Sequence, residues 1–178
     1  MIKFVSNLWL KLRVYWSNFR NKNNLKDCEV KEHFYTPYAL STFVGRIYSN
    51  FEYTYDGITD LFDSMKFPAE CYHRISTSIF KDDCDGFHAA VYHMAAKNDF
   101  QTCLLTYVTS DIISSHTVTL IKYLNKYWII DYNQLLSANT LEQVLKQVLD
   151  RRKSKLLCYN LVKYNYSTFK YEIMKEEI

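Results

Sequence analysis

Glycine and proline are nearly missing from this chain, at three and two among 178 residues. A collagen-like chain or a Pro/Gly-rich disordered one is thereby excluded. No C-x-x-C pair occurs, and the cysteines (Cys28, Cys71, Cys84, Cys103 and Cys158) are odd in number. That argues against a disulfide framework or a structural zinc module, so a reducing, cytoplasmic setting is expected. No stretch approaches the roughly 18 uninterrupted apolar residues of a membrane span. The first apolar stretch is broken by Lys11 and Arg13 and has no small-residue cleavage site after it, so it does not read as a secretion signal. Acids are absent from residues 1–26, which carry Lys3, Lys11, Arg13, Arg20, Lys22 and Lys26. The whole chain carries only +3, so the remainder is net acidic and a nucleic-acid partner is not expected.

What is present is ordinary for a globular protein: 48% hydrophobic residues and a length that suits one core. Two parts are distinguished, a basic N-terminal helix with its loop (1–24) and a domain over 25–178. Phe4, Val5, Leu8, Trp9, Leu12, Tyr15, Trp16 and Phe19 recur at helical spacing within residues 3–20. The expectation is that this aromatic stripe packs on the chain's own domain. The other reading is a docking element for a protein partner or a membrane surface.

Further on, Thr36-Pro37 opens a helical run through Tyr48, since proline suits a first turn. Phe51 to Tyr55 reads as extended, Asp56-Gly57 as a turn and 58–65 as a short helix. Phe67-Pro68 then leads into a helical segment over 69–80. Residues 84–97 form the clearest helix, with Cys84, Phe87, His88, Val91, Met94 and Ala95 on one stripe and Asp82 or Asp83 as cap. Residues 102–109, 115–123 and 127–133 read as strands, the last two joined by a turn at Tyr123-Leu124-Asn125-Lys126. That register places His116, Val118, Asp131 and Asn133 on one face, with His116 and Asp131 as diagonal neighbours. A helix over 140–152, capped by Thr140, and a hairpin of 155–164 with 168–174 complete an α+β chain. The Arg151-Arg152-Lys153 run reads as a solvated helix end.

A cysteine at a helix start, a histidine on a strand and an aspartate on the next strand suit thiol catalysis. Helix N–H groups favour a thiolate, and the imidazole takes its proton. Cys84 is the candidate nucleophile, His116 the base and Asp131 the orienting acid, with Asn133 as an alternative orienter. The Cys84 backbone N–H can donate to an oxyanion; Ser78 and Tyr72 are nearby candidates for a second donor. Asp82, Asp83 and Asp85 oppose this chemistry, because nearby negative charge raises a thiol pKa. They must cap, point away or find partners. Cys84 with His88 offers a ligand spacing, but no zinc or EF-hand motif matches, and neither metal nor cofactor is expected. His88 and His93 are expected to flank the site or the core.

Asp83-Cys84-Asp85-Gly86-Phe87-His88-Ala89 resembles the G-D-C-D-[DE]-[YF]-A signature of the bacterial transglutaminase-like cysteine proteinases. Gly86 stands where that signature carries an acid. Phe67-Pro68-Ala69-Glu70 resembles the family's T-P-x-E segment, and the later His and Asp strands also match. Covering roughly residues 34–134, the resemblance implies a papain-like, transglutaminase-type core with the nucleophile helix packed on an antiparallel sheet. It also implies Cys84, His116 and Asp131 as the triad. The expected activity is that of a cysteine peptidase or related amide hydrolase or acyltransferase acting on a protein or peptide. The alternative is an inactive binding or assembly module that docks through its N-terminal helix.

Overall fold

The computed structural model describes residues 2–54, 64–110 and 115–174. In chain order the elements are α1 (Ile2–Arg20), α2 (Pro37–Ile47), β1 (Phe51–Tyr53), α3 (Pro68–Thr77), β2 (Phe80–Asp82), α4 (Cys84–Lys97) and β3 (Gln101–Thr109). After these come β4 (Ser115–Tyr123), β5 (Lys126–Asp131), β6 (Gln134–Ala138), α5 (Leu141–Arg152), β7 (Leu156–Asn165) and β8 (Lys170–Ile173). Six strands form an antiparallel sheet in the order β6-β5-β4-β3-β7-β8, and β1 pairs with β2 in parallel. The chain is therefore a mixed α+β structure.

Local chemistry explains the helix starts. Thr36 caps α2 by accepting from the Ala39 N–H, and Pro37 occupies the first turn, where it forfeits no helical hydrogen bond. Thr140 caps α5 in the same way through the Gln143 N–H. At α4 the Asp83 carboxylate accepts from the Asp85 and Gly86 N–H groups, which fixes Cys84 as the first helical residue.

Two apolar cores flank the sheet. On one face α4 packs with Leu104, Ile121, Ile130 and Val162. On the other, α5 packs through Leu141, Val144, Leu145 and Val148 against Cys103, Leu105, Val118, Leu120 and Ile129. Central strands covered on both faces cannot alternate in polarity, and in β3 every residue after Gln101 is buried. Helix α4 is buried throughout Cys84–Ala95, because other helices cover the side turned away from the sheet. Each large apolar side chain fully buried there, such as Phe87 or Met94, stabilises the fold by about 1.5–3 kcal/mol.

Three sequence expectations are corrected. The segment after α3 is not helical to residue 80: the helix stops at Thr77, and Phe80–Asp82 is extended beside β1. β5 ends at Asp131, not at 133. Tyr132 and Asn133 form a two-residue turn into β6, a strand the pattern did not reveal. Tyr132 takes φ 53°, a conformation usually left to glycine, so the turn carries no sequence signal. The Asp56–Gly57 turn and residues 58–63 of the expected short helix lie outside the described residues, while Ser64 and Met65 are irregular.

The third correction concerns α1. Its aromatic stripe does not pack on the domain. Leu10, Arg13, Val14 and Ser17 form the buried face, whereas Phe4, Val5, Leu8, Leu12, Tyr15, Trp16 and Phe19 are exposed, Phe4 and Tyr15 to 75% each. Polar contacts fix that orientation. Asn18 Nδ2 donates to the Tyr171 carbonyl at 2.8 Å, and the Tyr171 N–H donates to Asn18 Oδ1 at 2.7 Å. Asn21 Nδ2 donates to the Met65 carbonyl at 2.7 Å, and Ser17 Oγ accepts from the Met65 N–H at 2.9 Å. Buried polar groups with partners outweighed the stripe of larger apolar residues.

Candidate active site

The site is assembled at the ends of β4 and β5 beside the start of α4. The hairpin register is the expected one: Tyr123 pairs with Lys126 and Thr119 with Ile130. The ladder stops there, one step before Val118 and Asp131. Past that step His116 Nε2 lies 2.8 Å from Asp131 Oδ1, a charge-assisted hydrogen bond between two largely buried groups. Asn133 is exposed in the turn and takes no part.

Asp131 stands between the two helical layers. Its Oδ1 is 3.8 Å from His88 Nε2 of α4, and its Oδ2 is 3.5 Å from an Arg152 nitrogen of α5. Arg152 is thus not simply part of a solvated helix end. Burial alone would raise the Asp131 carboxyl, but the His116 hydrogen bond and the charges of His116, His88 and Arg152 pull it down to about 2. The carboxylate stays ionised at neutral pH. Burial holds His116 below its ordinary value, although the bond to Asp131 pulls the other way. With Nε2 donating to Asp131, Nδ1 is the nitrogen left to accept a proton.

Cys84 is buried at the first position of α4. One helical turn on, the His88 ring centroid lies 5.9 Å from that of His116. The rings of Tyr107 and Tyr132 each lie 5.7 Å from His116. Both phenols are pushed up, by burial above all, and Cys84 is among the charges that add to the shift. Because His88 is one turn beyond Cys84 and its ring borders His116, the cysteine end of α4 lies beside the His116–Asp131 pair. Burial also raises the Cys28, Cys71, Cys103 and Cys158 thiols, which disfavours their thiolates, although Cys28 Sγ lies 3.4 Å from His93 Nε2.

The acidic cluster around Cys84 is compensated. Asp83 spends its carboxylate on the helix cap. Asp82 is paired with Lys66. Asp85, on the far side of the cysteine, forms a fully buried ion pair with Arg13 of α1 at 3.0 Å. Gly86 makes the Asp82 arrangement possible, since an added Cβ would run into the Asp82 side chain. This is the physical reason for glycine where the resembled signature has an acid.

Ser78 and Tyr72 are committed elsewhere. Ser78 is exposed and donates to the Arg74 carbonyl, and the Tyr72 hydroxyl donates to Glu32 at 2.9 Å. Sequence reasoning missed Tyr107. Its hydroxyl is buried with no hydrogen-bond partner among the described residues. No pattern could mark it, since Tyr107 looks like any strand aromatic. His93 belongs to the core, with Nδ1 at 2.7 Å from the Tyr166 hydroxyl and Nε2 at 3.0 Å from the Cys28 carbonyl. His88 borders the site, and its Nε2 is buried without a hydrogen-bond partner among the described residues. The His88, His116 and Asp131 ligand atoms lie within 4.8 Å of one another. Two imidazoles and a carboxylate so placed suit a divalent transition ion.

The buried histidines make stability acid-sensitive. Burial depresses His88 to about 3 and His93 to about 4. Unfolded, each titrates near pH 6.5, so below that pH the unfolded chain binds more protons and stability falls with pH. At pH 5 each histidine costs about 2 kcal/mol. Asp131 acts in the same direction only below pH 3.8, outside this window. Urea unfolding is expected to lose at least about 4 kcal/mol between pH 7.5 and pH 5, since His116, also held below its ordinary value, acts in the same direction. A flat profile over that range would refute the assignment of neutral buried imidazoles.

Among the described residues no helix is long and apolar enough to cross a membrane. Compared with known proteins, the chain matches no family model and no curated sequence.

Proposed function

We propose that the chain is a thiol-dependent hydrolase or acyltransferase of amide bonds, first of all a cysteine peptidase, on a papain-like, transglutaminase-type core. One observation carries this reading. A buried His–Asp pair stands beside a helix that begins with a cysteine, and every acid flanking that cysteine is capping or paired. Neutral His116 takes the Cys84 proton on Nδ1, and the thiolate attacks the amide carbonyl carbon. The oxyanion accepts from the Cys84 backbone N–H, with the unpartnered Tyr107 hydroxyl as candidate second donor. Protonated His116 then gives its proton to the leaving amine. Water releases the acid from the thioester, or a second amine intercepts it and completes transfer.

The test is labelling with a thiol-reactive amide-mimic probe. Wild type is expected to label at Cys84. His116→Gln should slow labelling by about 10²-fold or more, and Asp131→Asn by a smaller factor. Equal rates for all three proteins would remove the case for an activated thiol.

A second reading rests on the orphaned His88 Nε2. His88, His116 and Asp131 would hold a divalent ion, which would act as a Lewis acid or water activator. Cobalt(II) titration separates the two: a visible-region tetrahedral spectrum lost in His88→Gln favours the metal, whereas no spectrum with strong Cys84 labelling favours the thiol.

A further inference from the structure

The outer face of α1 is the least expected surface of the molecule. Phe4, Leu8, Leu12, Tyr15, Trp16 and Phe19 are exposed along one side of the helix, over about 22 Å at 1.5 Å per residue. A contiguous apolar patch of that kind on a water-exposed surface marks an interaction site. The helix is not free to roll it inward. Arg13 on the opposite face is held by Asp85, Ser17 and Asn21 by Met65, and Asn18 by Tyr171. The patch is thus built into the fold.

Charge selects what covers it. Exposed Lys3, Lys11, Arg20, Lys22 and Lys26 lie along the helix and just beyond it, and residues 1–26 include no acid. Lys22 Nζ lies 4.6 Å from the Phe19 ring centroid, so cation and aromatic share one rim. A second copy meeting this face would bring like charges together. Aromatic and leucine side chains flanked by Lys and Arg instead suit the headgroup boundary of an anionic bilayer, where rings sit among headgroups and cations meet lipid charge. We propose that α1 docks the protein, lying flat, on an anionic membrane surface. The inner face of the same helix supplies Arg13 to Asp85 beside Cys84, so docking sets the candidate site close to that surface without unseating the helix.

The full-length chain is tested by co-sedimentation with phosphatidylcholine vesicles, with and without phosphatidylserine. Binding is expected only with phosphatidylserine, and weakening as salt rises. The double variant Leu8→Asp/Leu12→Asp should bind at least about tenfold more weakly, and Lys11→Gln about fivefold more weakly. These side chains are exposed, so thermal unfolding of the variants should match wild type, which separates lost docking from lost folding. Trp16 emission should shift to the blue on binding. The proposal is overturned if wild type ignores anionic vesicles, if the double variant binds as wild type does, or if the face instead makes a dimer that the double variant abolishes. It does not depend on the activity of Cys84, which the labelling experiment reads separately.

Discussion

Cys84→Ala is expected to abolish amide turnover, by about 10⁴-fold or more, and to leave the fold intact. A nucleophile in a covalent mechanism has no substitute, so its removal costs as much as losing the whole constellation. The stability effect should be small. Cys84 is a small buried side chain at the first position of α4, and the Asp83 cap that starts the helix bonds the Asp85 and Gly86 N–H groups. Urea unfolding of Cys84→Ala should therefore lie within about 1 kcal/mol of wild type. The kinetic measurement is hydrolysis of a peptide-amide library by both proteins. Residual turnover in Cys84→Ala near the wild-type level would exclude the thiol as nucleophile and point to the His88, His116 and Asp131 group.

Arg13→Met is expected to be the most destabilising single change in α1, by about 3–5 kcal/mol. Arg13 and Asp85 are both buried, and removing the cation leaves a carboxylate in the interior without its ion-pair partner. Arg13 also lies over the Trp9 ring, 5.6 Å from its centroid, so some packing is lost with the charge. The double variant Arg13→Met/Asp85→Asn should recover a large part of the loss, since no buried charge then stands alone. A functional effect accompanies the structural one. In Arg13→Met the Asp85 carboxylate is uncompensated next to Cys84, and its charge opposes thiolate formation. The pH at which Cys84 reaches half its maximal labelling rate should move upward, and Asp85→Asn should bring it back. Chemical denaturation reads the first effect and the labelling profile reads the second. No change in either would show that Arg13 matters neither to the fold nor to the site.

These two residues mark the reach of the sequence. Cys84 was legible because a helix start has a local signature: an acid that caps, a helical apolar stripe, and a cysteine at the boundary. His116 and Asp131 were legible because hairpin register follows from the turn at Leu124–Asn125 and the period-two geometry of strands, and their 2.8 Å contact is the diagonal neighbourhood that register predicts. The extents of α2, α4, α5 and the β4–β5 hairpin turn follow from caps and periodicity in the same way. These are interactions between residues close in sequence, so the sequence by itself determines them.

Arg13 was not legible in this way. Its partner is 72 positions away, and nothing local distinguishes it from the other cations of α1. The same holds for the pairing of Lys66 with Asp82, the approach of Arg152 to Asp131, and the placing of Tyr107 and His88 around the site. α1 shows the limit most clearly. Its periodicity correctly gives a helix, but periodicity does not say which side faces inward. Tertiary structure settled that through Arg13, Ser17, Asn18 and Asn21, whose polar groups find partners only on the domain, and so turned the larger aromatic stripe outward. The sequence by itself determined the helices α1, α2, α4 and α5, the β4–β5 hairpin, the Cys84 helix start and the His116–Asp131 register. Only the tertiary structure decided how the acids around Cys84 are compensated and which face of α1 meets the outside, because both depend on partners that the fold, not the local chain, brings together.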